Sequence, residues 1–569
     1  MDHGSALRRN FDWLGAVIPT MPKLSPMCLP FRFSAAIAVA SLLGLLSISS
    51  TPAAASTTQL SIIQDGPLLL GNTDATLARF RLLGANAVRV IVPWFKVTRN
   101  PTSFKRPKNF NAADPNAYPN ANWAPYDNIV REAKTDGITV DFTVAGGSPA
   151  WADGPGVPKG GVNSGFAWKP SAKEYGLFLT AVAKRYSGSF KVKGVALPRV
   201  HFWTIYNEPN FGQDLGPQAI NGSSVSVAPG MYRNIVDAGW KALHATGHGH
   251  DTILIGEFAA RGNGFHGPTS RLAQGLPGNY GQTKPLEFIR TLYCLDSNYH
   301  QLRGSTAAAR GCPTNAAGSR RFRSQHPGLF SASGVGDHPY PGNGPPLSRA
   351  GDDPNFATFP DLGRFGAELD RVNRIYGSPT HYPIYNDEYA YITSPPKPHG
   401  TAVSPDTASF YINWAEYLSY KNPRIKSYMQ YLLQDPQPTG RTYSGFASGL
   451  LFPNGRQKSD YGAYRLPLYM PVTSSKRGKS LEVWGDLRTT HAYRGQTVDI
   501  QFASGSSSTF TTVKALKVTN STGYFDLHMK FPGSGTVRLS WTYPKTDPLL
   551  PVTALGATVF SRHVKLTLH

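Results

Sequence analysis

His201-Phe-Trp-Thr-Ile-Tyr-Asn-Glu-Pro-Asn-Phe-Gly212 begins as an apolar run and ends in an amide, a carboxylate and a proline. Phe202, Trp203, Ile205 and Tyr206 are the aromatic and β-branched types that suit a buried strand. Asn207, Glu208, Pro209 and Asn210 cannot prolong it, so the chain must turn there. A carboxylate so placed is either a catalytic acid at a strand end or the solvated glutamate of an ordinary turn. The rest of the chain has to separate the two.

Working outward from this stretch, strand-like runs alternate with helical patterns from Gln59 onward. The strand candidates are Leu60–Gln64, Ala87–Pro93, Ile138–Val144, His201–Tyr206, Thr252–Gly256, Ser333–Gly336, Tyr382–Asn386 and Ile425–Leu432. Between them, Ile129, Val130 and Ala133 share one helix face that Gly137 ends, and Tyr175, Phe178, Leu179, Val182 and Tyr186 recur at helical spacing. Both stripes face a core. Eight β/α units predict a (β/α)8 TIM barrel, whose active site lies at the C-terminal ends of its strands.

Past about Met470 the helical patterns stop. Val498, Ile500 and Phe502 alternate with polar residues, as do Phe525, Leu527, Met529 and Phe531, then Val537, Leu539 and Trp541, then Val564, Leu566 and Leu568. This predicts an antiparallel β-sandwich over 471–569, an accessory domain separable from a catalytic domain over 56–470. Residues 1–55 read as a signal peptide region: Lys23 and Arg32 precede the apolar run Phe33–Ile48, and Ala53-Ala-Ala55 supplies small residues for cleavage. The run is short for a membrane span, so the expected location is extracellular, with an uncleaved membrane tether as the alternative.

Export leaves two cysteines, Cys294 and Cys312, which an oxidising compartment would join. They are too far apart in sequence to resemble the close cysteine pairs of a zinc site. The formal charge is +22, and removing residues 1–55, with four basic and two acidic residues, leaves +20. The basic residues are scattered rather than clustered, and no nucleic-acid motif accompanies them. Charged residues make up only 16% of a chain with 57 glycines and 47 prolines, which fits an ordered, loop-rich globular protein.

Cleaving a glycosidic bond takes two carboxylates facing each other across a cleft, one to protonate the leaving oxygen and one to attack the sugar or activate water. Glu208 and Glu388 stand at the ends of two such strands. At this point the chain resembles the clan A glycoside hydrolases, especially families 5 and 39, over roughly residues 60–470. Ile205-Tyr-Asn-Glu-Pro209 is similar to the strand-four motif, which implies that Glu208 is the acid/base and that Asn207 binds a sugar hydroxyl. Pro383-Ile-Tyr-Asn-Asp-Glu-Tyr389 resembles the strand-seven motif and implies Glu388 as nucleophile. Leu83-Gly-Ala-Asn-Ala-Val-Arg89 resembles the strand-two segment whose arginine supports the nucleophile, and Asp337-His-Pro-Tyr340 the strand-six pair, here His338 and Tyr340.

The sequence departs from that pattern in two places. Asp387 precedes Glu388, and strand alternation allows only one of them to face the site. Tyr428-Met-Gln-Tyr-Leu-Leu-Gln434 lacks the strand-eight tryptophan that serves as a sugar platform. Trp94, Trp151 and Tyr389 are alternative stacking surfaces, with core packing the competing reading for each. Glu257 reads as a strand end in solvent. The implied activity is a secreted retaining glycosidase acting on oligo- or polysaccharides through β-linked or α-L-arabino-type bonds. No metal or other cofactor, and no stable membrane insertion after signal removal, is expected. The rival reading is a non-catalytic carbohydrate-binding protein on the same scaffold.

Overall fold

The computed structural model describes residues 56, 58–157, 167–219, 225–262, 281–349, 351–398, 402–438, 445–488 and 495–569. The signal peptide expectation lies outside the described residues. None of the described helices is long and apolar enough to cross a membrane.

Eight strands close into a parallel barrel: β1 (Leu60–Gln64), β2 (Ala87–Pro93), β3 (Thr139–Ala145), β4 (Phe202–Ile205), β5 (Thr252–Ala259), β6 (Gly334–His338), β7 (Ile384–Asn386) and β8 (Ile425–Tyr431). Each pairs with its sequence neighbours, and β1 closes the ring on β8 with Leu60 opposite Ser427. The helices that return the chain are α1 (Thr73–Leu82), α2 (Asn120–Thr135), α3 (Ala172–Arg185), α4 (Ala228–Ala245), α5 (Pro285–Leu292), α6 (Leu362–Ile375), α7 (Pro405–Tyr420) and α8 (Ser459–Arg465). Local chemistry sets their ends. Ser171 accepts a hydrogen bond from the Glu174 amide to begin α3, a serine-to-glutamate spacing that favours helix initiation. Gly137, at φ +69, ends the turn after α2 where a side chain would be strained.

Alternation along β2 shows how the barrel places its chemistry. Val88, Val90 and Val92 are buried in the main apolar core together with Ile129, Val130 and Phe178 from the helices. Arg89 lies between them in sequence and turns the other way, fully buried among polar groups inside the barrel. Lower in the barrel, Ile62, Ala87 and Met429 are register partners and form a separate apolar cluster.

The C-terminal strands form two sheets. One orders β9 (Leu468–Tyr469), β11 (Leu481–Asp486) and β14 (Tyr524–Met529) as β9-β11-β14. The other contains β10 (Ser474–Ser475), β12 (Gln496–Ser504), β13 (Thr511–Val518), β15 (Gly535–Thr542), β16 (Thr558–Phe560) and β17 (Val564–Leu568) in the order β10-β17-β15-β12-β13, with β16 on β15. The alternating residues Val498, Ile500, Phe502, Val537, Leu539, Trp541, Val564, Leu566 and Leu568 are all buried in the core between the sheets. All of these pairings are antiparallel except β10 with β17.

Barrel and sandwich belong to one compact unit. Arg488 is buried at their junction, where it donates to the Tyr464 carbonyl at 2.6 Å, to Ser61 Oγ at 2.8 Å and to Glu416. Tyr420, Tyr469, Trp484 and Tyr524 pack beside it. These contacts oppose the expectation of a separable module. A break at residue 470 would remove Arg488 and Tyr524 from Glu416 and uncover the faces of Tyr420 and Tyr469 that pack on Trp484 and Tyr524. Cys294 and Cys312 form a disulfide, with Cα atoms 5.6 Å apart, that ties the end of the α5 segment to the loop after it.

Candidate active site

Every strand of the barrel sends a side chain to one polar cluster at its C-terminal end. Gln64 comes from β1, Arg89 from β2, Thr143 from β3, Asn207 and Glu208 from the turn after β4, Glu257 from β5, His338 from β6, Glu388 from beyond β7, and Tyr431 from β8. The backbone is unusual where the acid is presented. Tyr206 has φ +77 and Glu208 has φ +38, although neither is glycine. Such conformations cost about 1–3 kcal/mol each and persist only where surrounding contacts impose them.

Arg89 organises the cluster. Its Nε donates to Glu257 Oε1 at 2.9 Å and to Thr143 Oγ1 at 3.1 Å, while Nη2 reaches Glu257 Oε2 and donates to Asn207 Oδ1 at 2.6 Å. Nη1 donates to Gln64 and, at 3.2 Å, to Glu388 Oε1. Burial works against its charge, but Glu257 and Glu388 more than offset that and raise its pKa well above the ordinary value. Arg89 therefore supports Glu388 as expected, yet its two-pronged partner is Glu257. The expectation of a solvated Glu257 is corrected: it is fully buried, has φ +51, and sits at a register shift between β5 and β6 that turns its carboxylate onto Arg89.

His338 joins the two candidate catalytic carboxylates. Its Nδ1 lies 2.9 Å from Glu208 Oε1 and 3.2 Å from Glu388 Oε2, so a proton on Nδ1 can serve either carboxylate. Burial lowers the pKa of the ring, but Glu388 and Glu208 outweigh burial and leave it raised. One oxygen of Glu208 and one of Glu388 lie within 4.8 Å of each other and of His338. The Glu388 pKa is raised by burial, with Glu208 and Glu257 adding to the effect; His338 and Arg89 oppose it without cancelling it. Tyr340 is pushed well up by burial and then by Glu388, so its hydroxyl stays protonated beside the carboxylate.

β7 ends at Asn386, so strand alternation no longer governs the next two residues. Asp387 drops into the barrel, where its Oδ1 lies 3.7 Å from His338 Nε2, and burial and Glu257 raise its pKa well above the usual carboxylate range. Glu388 instead lines the cleft with Glu208. Gly336 on β6 makes this possible, because a Cβ there would overlap the Asp387 carboxylate.

The cleft has a volume of about 400 Å³. Tyr340, Tyr431 and Phe446 wall one part of it, with Phe446 5.5 Å from each tyrosine ring. Tyr431 thus provides an aromatic face at the end of β8 despite the missing tryptophan. The alternatives named from sequence are elsewhere. Trp94 is buried and stacked on Phe178, edge-on to Trp151, and Trp151 packs on Phe110. Neither lines this cleft. Tyr389 is fully buried against Phe359, Tyr391 and Tyr428. Trp94 and Tyr389 are packed into the core, while Trp151 is half-buried against Trp94 and Phe110.

Sequence reasoning also missed Gln64, Thr143 and Asp214, whose Oδ1 lies 3.5 Å from Asn207 Nδ2. Glu257 did carry a signal, being the one charged residue in the apolar run Thr252–Ala259. A cation could be offered ligands by Glu208, His338 and Glu388, or by Glu257, His338 and Asp387. In the first set it would have to replace the contacts these groups already make, with the Arg89 charge beside Glu388 opposing it.

No protein-family model and no curated protein sequence matches the chain. Solved structures share its course at low identity. A family 39 glycoside hydrolase from Bacteroides cellulosilyticus is 14% identical with a TM-score of 0.44, covering 84% of this chain and 80% of that one. A β-glucosidase from Thermotoga maritima is 14% identical with a TM-score of 0.41, covering 69% and 85%. A β-glucuronidase from Bacteroides uniformis is 10% identical with a TM-score of 0.38, covering 90% of this chain and 46% of that one.

Proposed function

We propose that the chain is a retaining glycoside hydrolase acting on oligo- or polysaccharides, with Glu208 as acid/base and Glu388 as nucleophile. The observation that carries this is that one oxygen of Glu208 and one of Glu388 lie within 4.8 Å of each other. Retaining enzymes hold the pair about 5–5.5 Å apart so that a carboxylate reaches the anomeric carbon directly, whereas inverting enzymes leave room for a water at about 6.5–9.5 Å. In the first step Glu388 attacks the anomeric carbon as Glu208 gives its proton to the departing oxygen. In the second, Glu208 takes a proton from water as that water displaces Glu388, and the starting configuration is restored. Asn207, its oxygen held by Arg89 at 2.6 Å and its nitrogen 3.5 Å from Asp214 Oδ1, is fixed beside Glu208, where it would meet a sugar hydroxyl.

Proton NMR of the first sugar released by the purified protein should show the substrate's own anomer. Release of the opposite anomer would reject the assignment, and tight polysaccharide binding without release of reducing ends would favour the non-catalytic rival.

Secretion is part of the proposal, supported by the Cys294–Cys312 disulfide, a bond that persists in oxidising compartments. N-terminal sequencing of protein from culture medium should begin near Ser56. Recovery only in washed membranes with residues 1–55 attached would support the tether instead.

A further inference from the structure

Among the described residues, the one charged group lining the cleft apart from Glu208 and Glu388 is Arg261. Its position is built rather than incidental. Nη2 donates to the Pro341 carbonyl at 3.2 Å, which leans the guanidinium on the turn at Gly342. Gly342 has φ +80, and a Cβ there would come within 3.2 Å of Arg261 Nη1, so the turn is shaped to admit the fork. Among the described residues that carbonyl is its one hydrogen-bond partner, which leaves most of its five N–H donors available. Among the described residues no carboxylate pairs with Arg261, whereas Arg89, Arg185 and Arg488 all do.

A sugar entering this cleft meets two carboxylates, which repel an anionic substrate, and one guanidinium on the opposite side of the balance. Arginine presents parallel N–H groups that match the two oxygens of a carboxylate, and in a partly desolvated cleft such a pair is stronger than a bond to a hydroxyl. Ala259 and Ala260, next to it on the cleft wall, are small and leave room for a branch on the sugar. Gln282, also on the wall, is a neutral donor and acceptor suited to neighbouring hydroxyls. The net charge of +20 without residues 1–55 adds a long-range attraction for an acidic chain.

From this geometry we infer that the substrate bears a carboxylate, as a uronic acid does, and that Arg261 recognises it. The inference rests on the glycosidase reading of the same cleft and names the class of sugar it takes.

The test uses hydrolysis-resistant thioglycosides in pairs that differ only at C6: phenyl β-D-thioglucuronide against phenyl β-D-thioglucoside, and the galacturonide against the galactoside. Titration calorimetry on the full mature chain gives an acid-to-neutral affinity ratio for each pair. We expect at least one pair to favour the acid member, that ratio to fall by about tenfold or more in Arg261→Gln, and Arg261→Lys to keep part of it, because lysine retains the charge without the fork. The inference is overturned if no acid member binds, if the neutral member binds as well as the acid, or if Arg261→Gln leaves the ratio unmoved. Failure of the glycosidase reading looks different: the ratio would respond to Arg261 while the O-linked counterparts bound without being cleaved.

Discussion

Replacing Glu388 by alanine should lower kcat by about four orders of magnitude or more, because no other group can form the covalent intermediate. Azide should then restore turnover with inverted configuration, since it enters the space left by the carboxylate and attacks from the same face in a single displacement. Glu208→Ala should behave differently. It should lose activity mainly on substrates with poor leaving groups, by about 10²–10⁴-fold as for loss of a general acid, and azide should give a product of retained configuration. The pH profile of the intact protein supplies an independent check. Glu388 must be ionised to attack, and its pKa lies above the ordinary glutamate value of 4.5 because burial outweighs His338 and Arg89. Activity should therefore fall as pH drops through that raised pKa, placing the acid limb above the ordinary glutamate range. Removing the opposing charge in His338→Asn should move the limb further toward neutrality. A covalent fluorosugar label on Asp387 or Glu257, or an acid limb that His338→Asn moves downward, would defeat the assignment.

The barrel could be read from the sequence because most of its strands are apolar runs bounded by turn residues, and all eight expected runs overlap an observed strand. The candidate site was legible at Asn207 and Glu208, where side chains close a strand with residues it cannot use, whereas Glu388 was chosen over Asp387 on the resemblance. It was not legible where tertiary contacts overrule local pattern. Nothing in Gly256-Glu-Phe258 announces the left-handed residue that swings Glu257 inward; that conformation is held by Arg89 and Thr143 from strands distant in sequence. The tryptophans were ambiguous for a different reason. An aromatic residue near a strand end is as useful to the core as to a ligand, and only the packing of Trp94 on Phe178 decides the matter. The separable sandwich rested on the lack of candidate catalytic residues after Met470, which is silent on Arg488 and its pairing with Glu416 across the junction.

The second large effect concerns Arg89. Arg89→Met should destabilise the protein by about 3–5 kcal/mol, because it leaves Glu257 as an uncompensated charge in the barrel interior. Glu257→Gln alone should be milder, since it removes a charge while Arg89 keeps Glu388 and the Asn207 oxygen. The two substitutions share one buried interaction, so the double variant should be more stable than the sum of the single losses, with a coupling measurable from denaturant midpoints. Activity should not follow stability. In the double variant Glu388 has lost a positive charge 3.2 Å away and Asn207 has lost the donor that fixes its amide, so kcat should stay depressed even where the fold recovers. The acid limb should also shift upward, because Arg89 is one of the two groups that lower the Glu388 pKa. A purely structural Arg89 would leave the limb in place once the fold recovered, and a Glu257 with no stake in Arg89 would make the two stability losses additive; either result would overturn this account of the barrel interior.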